Sequence, residues 1–104
     1  MVLVLTTLGA GDDAAALARA LVEERLAACV AVVPGLRSVY RWDGAVTEAA
    51  EQQLVIKTSG PRLEALERRL GELHPYDVPE FIVLEGEAGA AYGAWVLAET
   101  TRPG

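Results

Sequence analysis

The chain has 104 residues, a length that predicts one domain spanning residues 1–104 with a moderate hydrophobic core. Apolar residues make up 52% of the sequence and charged residues 23%, a composition that excludes a disordered protein. The formal net charge of −6 argues against nucleic acid or an anionic membrane as a partner, because both require clustered Lys and Arg.

The N-terminal quarter predicts a strand followed by a helix. The apolar run Val2 to Leu5 is typical of a central strand, and Gly9 to Gly11 predict a turn. Asp12 or Asp13 can cap a helix that continues to about Arg25. Apolar side chains recur along that helix at helical spacing: Ala14, Leu17, Leu21 and Val22.

Residues 26–58 predict a long β-hairpin. Its first arm is an apolar strand, a bend at Pro34-Gly35 and an alternating segment, and Asp43-Gly44 then forms a tight turn into the return strand. Each arm is about twice the usual strand length. One domain of this size cannot cover both faces of such a ribbon, so we expect the hairpin to pack against other copies of the chain.

The second half predicts one more helix, a fourth strand and a terminal helix. Ser59-Gly60-Pro61 begins the helix and Pro75 ends it. Phe81 to Leu84 predict the strand, and a helix follows Gly89. The two helices carry apolar side chains at Leu63, Leu66, Leu70 and Leu73, and at Tyr92, Trp95 and Leu97.

The resulting order, β-α-β-β-α-β with a terminal helix, predicts an α+β fold. It is the ferredoxin-like arrangement, in which an antiparallel sheet carries its helices on one face. Cys29 is the only cysteine, so no disulfide can form within the chain and a cytoplasmic location is predicted. The apolar run at the N-terminus is too short for a signal peptide or a membrane span, so no membrane association is expected.

Five sequence blocks together resemble a known family. LVEERLAACV, VPG, SVYRWDG, LVIKT and HPYDVPE occur in the order and spacing of the CutA family of divalent-cation-tolerance proteins, and the resemblance runs from about Val2 to Trp95. It implies a ferredoxin-like subunit in a compact homotrimer, tolerance to copper and other divalent cations, and mostly a cytoplasmic location. Leu5 and Leu73 stand where some copper-linked members have Cys and His, so this chain departs from that part of the pattern.

Three residues are candidate metal ligands. His74 is the only histidine and could bind a metal or transfer a proton, although a role at the end of the helix is equally consistent. Cys29 could supply a thiolate, or it could be a small buried apolar residue. Glu80, with Asp77 and His74, suits a divalent ion such as copper or zinc, with the remaining ligands supplied by a neighbouring subunit.

Four further residues are candidates for a cleft between subunits. Tyr40 and Trp42 share one strand face, and Tyr76 follows His74 in the loop. The simpler interpretation is that these aromatic residues pack a subunit interface. Lys57 could pair with Glu51 or Glu80 across subunits, or it could be solvated.

The favoured function is therefore a homotrimer that binds divalent cations near its subunit boundaries. No nucleophile–base pair, phosphate loop or CxxC motif is present, so an enzyme and an organic cofactor are not expected. A stable trimeric scaffold or small-ligand signalling module is the main alternative. A small enzyme acting through His74 is the third possible function.

Overall fold

Four strands and three helices follow one another in the computed structural model, which describes residues 1–101. The strands are β1 (Val2–Gly9), β2 (Cys29–Trp42), β3 (Ala45–Thr58) and β4 (Ile82–Glu85). The helices are α1 (Ala14–Glu23), α2 (Leu63–Leu73), which a short 3-10 helix at Gly60–Arg62 precedes, and α3 (Ala90–Glu99). The single domain predicted for residues 1–104 stays a prediction, since 102–104 lie outside the described residues.

The strands form one antiparallel sheet in the order β2-β3-β1-β4. β1 is central and pairs with β3 along its whole length, from Val2 opposite Thr58 to Gly9 opposite Glu51. The short β4 pairs with the other edge of β1. The predicted α+β class with an antiparallel sheet is therefore confirmed.

The hydrophobic core lies between one face of the sheet and helices α1 and α2. Alternate residues of β1 point into it, because successive side chains of a strand project to opposite faces. Both helices contribute leucines at helical spacing. The largest fully buried apolar side chains are Val4, Leu8, Leu21, Leu54, Ile56, Leu66, Leu70 and Val96.

The opposite face of the sheet, here called the open face, is also apolar. Leu5 of β1 lies on it between Val55 of β3 and Ile82 of β4. Ile82 is 44% exposed and the neighbouring Leu84 is 46% exposed. Exposed apolar side chains therefore lie next to one another on this face.

The β2–β3 hairpin has 14 residues in each arm and ends in a two-residue turn. Asp43 (φ 52°) and Gly44 (φ 79°) both adopt left-handed backbone conformations, as the predicted Asp-Gly turn requires. The predicted bend at Pro34-Gly35 is instead a bulge within a continuous strand, between Val33 and Leu36. Pro34 is tolerated because β2 is an edge strand.

Several predicted boundaries differ from those in the structure. β1 extends to Gly9, rather than ending near Leu5, because it pairs with β3 to its last residue. Helix α1 starts after Asp13, whose side chain accepts the Ala16 N–H at 3.0 Å, and ends at Glu23, before the predicted Arg25. No helix within residues 1–101 is long and apolar enough to cross a membrane.

Candidate functional site

A cleft of about 640 Å³ lies between the hairpin and the loop of residues 75–80, which joins α2 to β4. Ser38, Tyr40 and Trp42 reach it from β2 because every second side chain of a strand projects to the same face. The other lining residues are Thr7 of β1, Glu51 of β3, and Pro75, Tyr76, Asp77, Val78, Pro79 and Glu80 of the loop. The long hairpin therefore forms one wall and the loop the other.

His74 holds the start of this loop against the sheet. It is 7% exposed, and its Nδ1 accepts the Tyr76 backbone N–H at 3.1 Å. An amide can only donate, so Nδ1 carries the lone pair and Nε2 carries the proton. The Nε2–H then donates to the Thr7 carbonyl at 2.8 Å. Both ring nitrogens are thus used within the subunit, and the ring bonds to β1 rather than to the last carbonyls of α2.

Tyr76 joins the loop to the buried end of the cleft. Its hydroxyl donates to Glu51 Oε2 at 2.7 Å, and its ring packs edge-on against His74 with centroids 4.9 Å apart. Burial of the phenol, its hydrogen bond to Glu51 and the nearby negative charge raise the pKa of Tyr76. The phenol therefore remains protonated. Its hydroxyl supplies a hydrogen-bond donor to the carboxylate of Glu51, which is only 7% exposed.

Replacing Tyr76 with Phe should destabilise the protein. The substitution leaves the Glu51 carboxylate without its 2.7 Å donor, which we expect to cost about 1–3 kcal/mol per subunit in the free energy of unfolding. Guanidinium denaturation at one fixed protein concentration measures this loss. Tyr40→Phe is the matched control, because no described group bonds the Tyr40 hydroxyl; equal stability losses in the two variants would contradict the assignment.

The pH dependence of the free energy of unfolding provides a second test of Tyr76→Phe. Because the pKa of Tyr76 is raised above its ordinary value of 10.0 on folding, its stabilising contribution is fully present below pH 10. Above that pH the unfolded chain releases the phenolic proton first, so the contribution is lost as the pH rises through the folded-state pKa. We therefore expect the wild type to lose more stability above pH 10 than Tyr76→Phe does.

The charge of the lining is wholly acidic. Glu51, Asp77 and Glu80 contribute carboxylates, and none of the described residues that line the cleft is Lys, Arg or His. The Oε2 atom of Glu80 is buried, and no group within residues 1–101 donates a hydrogen bond to it. Such an oxygen is costly to leave unpaired. The lining as a whole therefore offers negative charge and acceptor oxygens to a group bound in the cleft.

The turn between β1 and α1 is fixed beside the cleft. Asp12 Oδ2 accepts the Gly9 N–H at 2.9 Å, and the Gln52 side chain donates to the carbonyls of both residues at 2.9 Å. A Cβ added at Gly9 would lie 2.9 Å from Asp12 Oδ2 and 3.6 Å from the Tyr76 hydroxyl. Glycine at this position therefore allows the Asp12 carboxylate to fold back onto the turn, whereas 3.6 Å to the Tyr76 hydroxyl would be an ordinary contact.

The structure brings some of the predicted site residues together and separates others. Tyr40, Trp42, Tyr76 and Glu80 all line the cleft. Cys29 pairs with Lys57, which lies opposite Leu3, whereas His74 bonds the carbonyl of Thr7. Leu3 and Thr7 lie four positions apart on β1, so these two pairs of residues are about 13 Å from each other along the strand.

The predicted metal ligands therefore do not converge within one subunit. Cys29 and Lys57 lie at the far end of the open face, where Lys57 Nζ is 5.6 Å from the Tyr92 ring centroid. The Tyr92 hydroxyl and the Cys29 thiol raise the pKa of Lys57. No group of three or more His, Cys, Asp or Glu side chains within residues 1–101 is arranged to hold a metal ion. Ligation by His74, Glu80 and Cys29 stays a prediction that depends on a neighbouring subunit.

Three strand residues of the cleft lining, Thr7, Ser38 and Glu51, were not among the predicted site residues. Ser38 continues the alternation of Tyr40 and Trp42, so the period of two was sufficient to find it. Glu51 is the one acidic residue on its face of β3, where it alternates with Ala49, Gln53 and Val55, and this is itself a signal. Thr7 contributes through its position on β1, and no local pattern distinguishes it from other strand residues.

Comparisons with known proteins agree with this fold. A curated relative, the divalent-cation tolerance protein CutA of Thermus thermophilus, is 46% identical over 98 residues, covering 93% of this chain and 95% of that protein. The solved structure of a divalent cation tolerance protein (Cut A1) from Thermus thermophilus superposes with a TM-score of 0.91 at 45% identity, covering 97% of this chain and 100% of that one.

A second solved structure is described as a PII-like protein CutA from Nostoc sp. PCC 7120 in apo form. It superposes with a TM-score of 0.90 at 39% identity, covering 97% of this chain and 98% of that one. The family model described as CutA1 divalent ion tolerance protein matches residues 2–99. The resemblance found in the sequence is confirmed, and this chain belongs to the CutA1 divalent ion tolerance protein family.

Proposed function

We propose that the protein is a homotrimer of ferredoxin-like subunits with a role in tolerance of copper-type divalent cations, which it binds in the cleft at the subunit boundary. It acts by binding rather than by catalysis, and it works in the cytoplasm. Family membership supports the role in cation tolerance. The acidic lining of the cleft is the observation that carries the binding site.

Assembly is supported by the open face and by the shape of the subunit. The longest dimension of the subunit is 47 Å and its shortest is 21 Å, and the long β2–β3 hairpin gives it this elongated form. Ile82 and Leu84, which lie on the open face, are 44% and 46% exposed. Packing against neighbouring subunits covers this apolar surface, and the number three is taken from the family resemblance.

A cation in the cleft would first meet oxygen ligands. Glu80 and Asp77 project from the loop, and Glu51 lies at the buried end, bonded to Tyr76. Carboxylates alone favour hard or borderline divalent ions, whereas a soft site for cuprous ion requires sulfur or imidazole. His74 can join the site only if its Nδ1 gives up the Tyr76 amide, so further ligands have to come from the neighbouring subunit.

Native mass spectrometry of metal-stripped protein tests the proposal directly. We expect a trimer that retains at most three tightly bound ions when copper or zinc is added at near-stoichiometric amounts, one for each cleft. Glu80→Gln should abolish the tight ions and leave the trimer intact, because it removes the charge and keeps the shape of the side chain.

Glu48→Gln is the matched control for that experiment. Glu48 is exposed on the hairpin face that points away from the cleft, and its only described ion pair, with Arg37 at 4.0 Å, is exposed and weak. A monomer in the same experiment would contradict the proposed assembly. A trimer that gains only diffuse, salt-sensitive adducts would contradict the cation site.

The second candidate function is a small-ligand signalling module or scaffold on the same trimer. It is favoured by the aromatic lining of the cleft, since Tyr40, Trp42 and Tyr76 offer ring surface that a metal ion does not use. Diffuse metal adducts together with saturable binding of an organic ligand would favour the signalling module or scaffold over the cation-binding function.

A further inference from the structure

We propose that the cleft binds an organic ammonium ion, and specifically an alkyl chain that ends in a primary ammonium group. This inference rests on the small-ligand candidate above, and not on the metal site. Three features of the cleft carry it: its aromatic walls, its acidic lining and an unpaired buried carboxylate oxygen.

The aromatic residues form both walls of the cleft. Tyr40 and Trp42 stand two residues apart on one face of β2, and Tyr76 faces them from the loop. Trp42 is 56% exposed although it is the largest side chain of the hairpin. The faces of such rings attract a cation held within about 6 Å, and the rings also bury the methylene groups next to it.

The charges of the cleft lining determine whether an anionic or a cationic ligand is favoured. Glu51, Asp77 and Glu80 are the ionisable carboxyl groups of the lining, and the raised pKa of Tyr76 keeps its phenol neutral. No described lining residue carries a positive charge, so a phosphate or carboxylate group would meet like charge with no cation to offset it. The cleft therefore discriminates against anionic metabolites and favours a cation.

The unpaired oxygen selects the kind of cation. Glu80 Oε2 is buried without a donor within residues 1–101, whereas the Glu51 carboxylate already accepts from Tyr76. A quaternary ammonium ion has no N–H and cannot satisfy such an oxygen. A primary ammonium group has three N–H donors and can bond the Glu80 carboxylate when that side chain turns Oε2, which solvent does not reach in the free subunit, towards the ligand. A charge-assisted hydrogen bond of this type is the strong kind.

The size of the cleft also accommodates an organic ligand. Its volume of about 640 Å³ lies within the range of small-molecule sites. A metal ion needs several ligand atoms within about 2.0–2.6 Å, and no group of three or more acidic, His or Cys side chains in the described part of the chain converges in this way. An alkylammonium needs one carboxylate and apolar walls, which this cleft provides.

Calorimetric titration of the full chain with 1,4-diaminobutane tests the inference. 1,4-Butanediol is the neutral probe, because it has the same carbon chain and a hydrogen-bond donor at each end but no charge. We expect saturable binding of the diamine, with one site per subunit, and at least tenfold weaker binding of the diol. Equal affinity for the two probes would overturn the proposal, and so would failure of the diamine to bind.

Variants locate the binding. Glu80→Gln and Trp42→Leu are each expected to weaken diamine binding about tenfold, through loss of the charged hydrogen bond and of the ring face respectively. Glu48→Gln removes one negative charge from the opposite face of the hairpin and should leave the affinity unchanged. Equal weakening in all three variants would indicate nonspecific attraction to an acidic protein and would overturn the site.

The oligomeric state and metal content of each variant are measured by native mass spectrometry in the same buffer. A Trp42→Leu protein that remains assembled and loses the diamine supports the site, whereas an assembled protein that keeps full affinity contradicts it. Diamine binding can fail while tight, stoichiometric copper or zinc binding persists. In that outcome the metal-binding proposal stands and the ammonium proposal does not.

Discussion

An Ile82→Glu variant is expected to be a folded monomer. Ile82 is 44% exposed within the subunit and lies on the open face beside Leu5, so the isolated fold can accept a charge there. If that face is buried by neighbouring subunits, each trimer would enclose three unpaired carboxylates, at about 3–5 kcal/mol each. Sedimentation velocity at micromolar concentration should show the loss of assembly, and circular dichroism should show the retained fold.

Val22→Glu is the control for that variant. Val22 is similarly apolar and 39% exposed, but it lies on α1, on the helical side of the sheet. It should leave the assembly unchanged. An Ile82→Glu protein that sediments as the wild type does would show that the open face is not the subunit interface, and the proposed trimer would need another surface.

His74→Ala is expected to cause the largest loss of stability among the cleft variants. It removes the donor to the Thr7 carbonyl and the acceptor of the Tyr76 N–H, which hold the loop at 2.8 and 3.1 Å. It also leaves a cavity where a ring that is only 7% exposed was packed. We expect a loss of about 2–4 kcal/mol per subunit in the free energy of unfolding.

His74→Phe separates the two causes. It keeps a ring of similar size and removes both hydrogen bonds, so it should retain part of the packing and still release the loop. Hydrogen exchange of the Tyr76 amide reports that release, and it should be faster in both variants than in the wild type. Unchanged protection of this amide in His74→Ala would show that His74 does not hold the loop.

The fold could be predicted largely because the local signals agree with the tertiary structure. Asp43-Gly44 requires two positive φ angles, and the structure has them. The apolar run from Leu26 was predicted as strand, but the N–H groups of Leu26 and Ala27 both bond the Leu21 carbonyl, so β2 begins only at Cys29. A run of apolar residues shows that a segment is buried, and it does not show which backbone partner the segment takes.

The site was harder to predict than the fold, for a geometric reason. Alternation along β2 correctly placed Tyr40 and Trp42 on one face, whereas Tyr76 was a candidate by residue type alone, and no periodicity placed it beside them. The same alternation could not show that Lys57 and Cys29 lie at the far end of the sheet, because periodicity gives the face and not the position along it. The bond from His74 to Thr7 joins residues distant in sequence, and no local pattern indicates it.

The long hairpin also has a consequence for how the chain folds. Its pairs begin with Trp42 and Ala45, which are close in sequence, and extend stepwise to Cys29 and Lys57 at the base. Local contacts form early, because closing a short loop costs little entropy. β1 is paired by strands from distant parts of the chain, so its insertion between β3 and β4 is the slow, non-local step. The hairpin can therefore pair progressively from its turn before the sheet is complete. Its outer strand edges are unpaired at that stage, and unpaired edges favour aggregation of partly folded chains.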